Sequence, residues 1–165
     1  MTEFTTPCLT AHNYVDINVI MLRIAIETVH DVRDRCLCLA SQRAARLLAR
    51  RFDRAFQSVG LTNNQFSLMM ALSGTHRPLI SELAPFLGMD RTTLTAALKA
   101  LERRGLLIVS VDAVDRRGKR PRLTDAGSEV LAAAVPIWRA EHRALEKRMR
   151  GTDAAALRVL LSQIS

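Results

Sequence analysis

The sequence predicts a mainly α fold with a small β-wing, an α+β arrangement flanked by a helical region drawn from both chain ends. Three observations predict it. Between Ile80 and Arg103, Ala84, Gly88 and Leu94 stand four and then six residues apart. That spacing supplies a small residue where two helices cross, a glycine where the backbone turns and an apolar anchor on the second helix. Directly after it come LLIVSV, the turn DAVDRRGK and a returning RPRLT, a two-stranded ribbon with a basic tip. On either side, long stretches repeat apolar residues every three or four positions, the period of an amphipathic helix. Together these read as a winged helix-turn-helix with helical extensions.

Composition agrees. A chain of 165 residues fits one domain, or one core domain with extensions, and 48% apolar residues with only 4% aromatics favour helices over sheets. The formal charge of +8 points to a polyanionic partner, and its placement sharpens the point. From Arg91 to Arg122 nine Lys or Arg face three acids (Glu102, Asp112, Asp115), and five of the nine lie in Arg116–Arg122. Three cysteines, Cys8, Cys36 and Cys38, make a poor disulfide framework, so a reducing cytoplasm is expected. Arg23 and Glu27 interrupt the best apolar run, and Glu3 stands where a signal peptide would be basic. No membrane association is expected.

In chain order, residues 1–30 read as an N-terminal arm or short helix, with Met21 a second candidate start. Residues 31–60 read as a dimerisation helix: Leu37, Ala40, Ala44, Leu48, Phe52, Phe56 and Val59 place one long amphipathic helix from about Arg33 to Val59, ended by Gly60. Residues 61–124 read as the DNA-binding region. Thr62 caps NNQFSLMMAL, whose Phe66, Met69, Met70 and Leu72 are core candidates, as is Trp138 further on. Ser81 is the expected cap of the next helix, which puts Pro85 near its start. Asp90 caps the second helix of the pair, and Leu94, Ala97, Leu98 and Leu101 form its buried face. Arg104-Gly105 ends it, and Pro121 makes the returning strand an edge. Residues 125–165 read as C-terminal dimerisation helices. Thr124 caps a helix from Asp125 to about Arg150 that Pro136 should kink near Ala132; Gly151 stops it, and Thr152 or Asp153 caps a last helix whose Ala156, Leu157, Leu160, Leu161 and Ile164 share a face.

The chemistry follows from the exposed side of the second helix. Thr92, Ala96, Lys99 and Arg103 lie opposite the buried face, flanked by Arg91, Thr93 and Thr95. Such short, polar or basic side chains suit a helix entering a DNA groove: Thr reaches base edges or phosphates, Arg91 and Lys99 phosphates or guanine. Taken alone the stripe would pass for an ordinary solvated face. The helix-turn-helix spacing and the basic hairpin behind it favour double-stranded DNA. In the hairpin, Asp115, Arg116, Arg117, Lys119 and Arg120 are the candidate wing contacts, because clustered cations repel one another without a polyanion. The flanking helices carry more apolar surface than one such unit can cover, so a homodimer is expected, which would set two reading helices ~34 Å apart along DNA. No nucleophile motif, glycine-rich phosphate loop or paired carboxylates suggest an enzyme; no cofactor is expected, and the four histidines lack metal-ligand spacing. Cys36 and Cys38 read either as small packing residues or as a thiol sensor activated by Arg33 and Arg35. The other function class left open is a protein–protein assembly module whose basic wing meets an acidic partner.

SELAPFLGMDRTTLTAALKALERRGLL, DRRGKRPRLTDAG and GLTNNQFSLMMAL, within Arg35–Met149, resemble the MarR family of bacterial winged-helix regulators. The resemblance implies an obligate dimer on a pseudo-palindromic operator, a repressor as the expected sense, released by a small molecule or oxidant. The family's wing pattern falls here on Asp115, Arg117 and Arg120, then Leu123, Thr124 and Gly127, with Gly118 where Asp or Ser is commoner. It implies that Arg117 enters the minor groove and that Asp115 orients a nearby arginine. It also implies an effector pocket, for which Arg43, Phe66, Met70 and Trp138 are the candidates, Arg43 as anion anchor. A Cys-Leu-Cys pair at the head of the long helix occurs in a subset of the family.

Overall fold

The computed structural model describes residues 24–112, 116, 118–149, 151 and 153–164. The chain divides into two compact units, one ending at Gln42 and one beginning at Arg43. Much of the expected N-terminal arm lies outside the described residues.

The single long helix expected from Arg33 is instead two. Helix α1 spans Ile26–Arg35 and α2 spans Leu37–Ala55, with Cys36 between them in an extended conformation (ψ 104°). Its Sγ accepts the Leu39 N–H at 3.3 Å, so the thiol occupies the place of an N-cap side chain. The apolar period ran on through Cys36 because a helix break with a competent acceptor leaves the three-to-four spacing intact. Helix α1 buries none of its residues, and Arg33–Asp34 and Arg35–Asp31 ion pairs decorate it.

The second unit holds the core. After α2 a 3₁₀ turn, Phe56–Val59, ends at Gly60, whose φ of 65° is the left-handed conformation glycine tolerates. Helix α3 spans Asn63–Leu72, and Thr62 and Gln65 form the reciprocal cap that the sequence suggests. Helix α4 spans Ile80–Leu87. It begins earlier than Ser81 would allow as a cap, because the Leu79 carbonyl accepts the Glu82 and Leu83 N–H groups while the Glu82 carboxylate accepts the Leu79 N–H at 2.6 Å. Pro85 therefore sits inside α4, where its missing N–H leaves the ladder position of the Ser81 carbonyl unfilled. Gly88 (φ 61°) turns the chain, and α5 spans Arg91–Arg103.

Strands β1 (Leu107–Val111) and β2 (Lys119–Leu123) pair antiparallel with Val109 opposite Pro121. The Val109 N–H points away from β2, to the Glu102 carboxylate at 3.3 Å. The 109–121 pair is thus a non-hydrogen-bonded one, and the proline's missing donor faces outward, where the ladder does not need it. Helix α6 spans Asp125–Arg148, ending two residues before the expected Arg150, and α7 spans Ala154–Ser162 with Asp153 as its cap. Helix α6 runs through Pro136 as one element.

Leu83, Leu94, Leu98, Leu101, Leu107 and Leu131 interlock with Phe52, Phe56, Phe66, Leu68 and Met69 in one core. Phe66 and Met69 are buried as expected, whereas Met70 is 42% and Trp138 37% exposed. Met70 follows Met69 by one position, a 100° rotation that turns it off the core. The N-terminus of α6 is pressed onto the α5–β1 corner: Thr124 donates from its N–H to the Leu106 carbonyl and from its hydroxyl to the Gly105 carbonyl. A Cβ on Gly127 would lie 1.9 Å from the Leu106 carbonyl oxygen, so only glycine fits. Among the described residues no helix is long and apolar enough to cross a membrane, and no group of three potential metal ligands gathers.

Candidate nucleic-acid interface

Helix α5 is held from below and capped at its start. Leu94, Leu98 and Leu101 are buried, so their anchoring fixes the rotation of the helix about its axis. The Asp90 carboxylate accepts from the Thr93 N–H at 2.8 Å and from the Thr93 hydroxyl at 2.6 Å. These bonds, the hydroxyl's first, hold the Asp90 carboxyl below its ordinary pKa. That rotation leaves Arg91, Thr92, Thr93, Thr95, Ala96, Lys99 and Arg103 exposed, the whole of the predicted contact face.

The face is not uniform in what it offers. The Thr93 hydroxyl serves the cap. The Thr95 hydroxyl donates back to the Arg91 carbonyl at 2.7 Å, which leaves its oxygen as an acceptor. Across from Thr95 and Lys99 stands the wing, and between them runs a cleft of about 350 Å³ that Glu102, Val109, Ser110 and Lys119 also line. An adjoining cleft takes in Ser81, Arg91, Thr95, Gly118 and Lys119. Arg91, Thr95, Lys99 and Lys119 are therefore brought to one groove between helix and hairpin. Lysine and arginine side chains in such a groove are able to meet phosphate oxygens or guanine, and a threonine hydroxyl a base edge.

The wing departs from expectation at Arg120. Its Nε donates to the Asp112 carboxylate and its Nη1 to the backbone carbonyl of Arg77, in the connection between α3 and α4. Asp112 is only 7% exposed. Arg120 is thus folded onto the protein rather than extended to solvent, while Arg116, Lys119 and Arg122 are exposed. Asp115 and Arg117 lie outside the described residues. Asp112 went unread in the sequence. The signal was the register: with Val109 opposite Pro121, residues 112 and 120 become diagonal neighbours on one face of the ribbon.

The effector candidates are partly separated. Phe66 and Trp138 stack at 6.5 Å, in a closed ring of aromatic contacts with Phe52, Phe56 and His142. Phe52, Phe56 and His142 of this ring are not among the effector candidates that the family resemblance implies. Met70 instead lines a cleft with Arg77, Arg122 and the start of α6, and Arg43 is exposed. In the first unit, Cys36 is half-buried and Cys38 exposed, both free thiols, with the Gln42 side-chain amide donating to Cys38 Sγ at 3.1 Å.

Residues 61–119 match the MarR family. The solved structure of the Mycobacterium tuberculosis transcriptional regulator MosR in complex with DNA is 39% identical, with a TM-score of 0.69 over 78% of this chain and 92% of that one. Transcriptional regulator HosA of Escherichia coli is 38% identical over 79 residues, 47% of this chain and 57% of HosA. The transcriptional activatory protein BadR of Rhodopseudomonas palustris is 33% identical over 92 residues, 52% of this chain and 51% of BadR. The chain thus spans about half the length of the curated relatives it matches.

Proposed function

The chain belongs to the MarR family, and from that premise we propose that it is a DNA-binding transcriptional regulator that reads a pseudo-palindromic operator as a homodimer. The observation that carries the reading is the gathering of Arg91, Thr95, Lys99 and Lys119 around one groove between α5 and the wing, with the rest of the exposed α5 face beside it. Similarity to a regulator solved with DNA supports it. Arg91, Thr92, Thr95 and Lys99 are assigned to the major groove, Thr93 to the cap that aims them, and Arg116, Arg117 and Lys119 to the backbone and minor groove beside it.

The two-fold assembly is supported by apolar surface at both chain ends. In the first unit Ile24, Ile26, Val29 and Val32 of the α1 region are exposed; in the second, Leu157, Leu160, Leu161 and Ile164 of the α7 region are. Residues 31–60 and 125–165 are accordingly assigned to dimerisation and 61–124 to DNA. Repression is the proposed sense, since occupancy of a promoter by itself excludes polymerase; BadR carries the opposite name, so activation in a reporter would overturn this part. Release is assigned to a small molecule or an oxidant. For the oxidant, Cys36 and Cys38 are the proposed sensors: peroxide attacked by the Cys36 thiolate leaves a sulfenic acid and hydroxide, and the added oxygen enlarges the group that now accepts the Leu39 N–H at the head of α2.

Selection from a random duplex pool, followed by mobility shift with and without peroxide, tests the reading. An enriched inverted repeat with half-sites about 10 bp apart is expected, bound by a dimer in sedimentation. Peroxide should release it from the wild type and not from a Cys36→Ser, Cys38→Ser variant. Capture of an acidic protein with no duplex preference would overturn the reading in favour of an assembly module.

A further inference from the structure

Arg120 and Asp112 pose a question that DNA contact does not answer: why should a wing arginine be folded against the protein? The guanidinium joins three segments. Arg120 stands on β2, Asp112 follows β1, and the Arg77 carbonyl belongs to the connection leading into α4. Asp112 is also held by its own backbone, its N–H donating to the Gly118 carbonyl at 2.9 Å to close the ribbon just below the tip. A planar fork with several fixed donors can meet a carboxylate and a carbonyl at once, which an ammonium cannot do with the same geometry.

We propose that Arg120 and Asp112 form a latch that sets the angle of the wing over α5, making both of them positioning residues for DNA binding and neither a DNA contact. The inference rests on the DNA-binding reading above. The buried Pro121 seats the middle of β2 in the body, and beyond it two antiparallel strands are marginal by themselves, so a tie on the tip side of that proline decides where the tip points. The tie reaches the α3–α4 connection, and the groove that collects Arg91, Thr95 and Lys99 has Lys119 and Gly118 on its wing side. Lys119 is the residue next to Arg120. Releasing the latch would let Lys119 leave the groove while α5 stayed in place.

Charge makes the idea testable, because the latch and the contact readings predict opposite signs. Asp112→Asn removes a negative charge from a protein that binds a polyanion. By charge alone it should leave affinity unchanged or raise it. A latch predicts at least tenfold weaker binding to the selected operator. Arg120→Lys keeps the charge and loses the fork, so a phosphate contact would survive it and a latch would not. The Asp112→Asn, Arg120→Lys double variant should bind no more weakly than Arg120→Lys alone, since both changes break one device. Hydrogen exchange should quicken at the Asp112 N–H and the β1–β2 ladder, with α5 unchanged in each variant. Should Asp112→Asn fail to fold, the Arg120→Lys comparison still decides. Wild-type affinity in Arg120→Lys, or equal or tighter binding in a folded Asp112→Asn, overturns the latch and leaves the regulator reading intact. Absence of any sequence-selective binding by the wild type overturns that reading instead.

Discussion

Helix α5 and the wing present the same predicted chemistry on two different kinds of scaffold. On α5 every residue expected at the surface is exposed, and the three leucines expected beneath it are buried. On the wing, Lys119 and Arg116 are exposed but Arg120 is turned inward to Asp112 and Arg77. A helix carries its own geometry: spacing along the chain fixes which residues share a face. A ribbon's faces depend on the register between strands, and its cations can find partners that are remote in sequence.

The largest effect expected is at the point the two regions share. Gly127 packs against the Leu106 carbonyl at the corner between α5 and β1. Gly127→Ala must displace backbone, and a cost of about 3 kcal/mol is expected, at the upper end of overpacking in a dense interior. Thermal unfolding should show a midpoint lower by roughly 10 °C for a domain of this size. If only wing signals broaden in spectra of the variant while α5 keeps its exchange protection, helix and wing are independent units and the comparison must be redrawn.

Next come substitutions that separate reading from anchoring. Lys99→Ala should cost about 2 kcal/mol on the preferred operator and relax selectivity at one base pair, as for loss of a base-edge contact. Arg116→Ala should weaken all sequences alike and make the slope of log K against log salt shallower by about 0.9, one phosphate's worth. Arg117→Ala tests the residue that the family pattern sends to the minor groove, with the same slope change expected and selectivity altered only where A·T and G·C are exchanged. A sequence-selective effect of Arg116→Ala, or a uniform one of Lys99→Ala, would exchange the roles of the two regions.

Much of the fold was legible because local chemistry and tertiary packing agree. Thr62, Asp90, Thr124 and Asp153 cap helices where the sequence placed such residues, and Gly60, Gly105 and Gly151 have the positive φ of helix ends. What escaped was set by partners far along the chain or by backbone acceptors. Cys36 breaks the first long helix through a thiol cap that no periodicity reports. Leu79 begins α4 because Glu82 reaches back to its N–H. Trp138 and Met70 are more exposed than their chemistry suggests.

The smallest effect expected isolates how α5 is aimed. Asp90 is fully exposed, and its carboxyl is held below the ordinary carboxylate pKa of ~3.9 by the Thr93 hydroxyl first and the Thr93 N–H next. A depressed folded-state pKa means the carboxylate's contribution is whole above the unfolded value and lost as pH falls through the folded one. Asp90→Ala should therefore lower the melting midpoint modestly at neutral pH, and the gap from wild type should close as the solution is taken below about pH 4. Asp90→Asn, a neutral cap, should stand above Asp90→Ala by an offset that does not change with pH. A gap from wild type that persists unchanged into acid would mean the carboxylate charge plays no part. The orientation of α5 would then rest on Leu94, Leu98 and Leu101 alone, leaving helix and wing both aimed from beneath by side chains that touch no DNA.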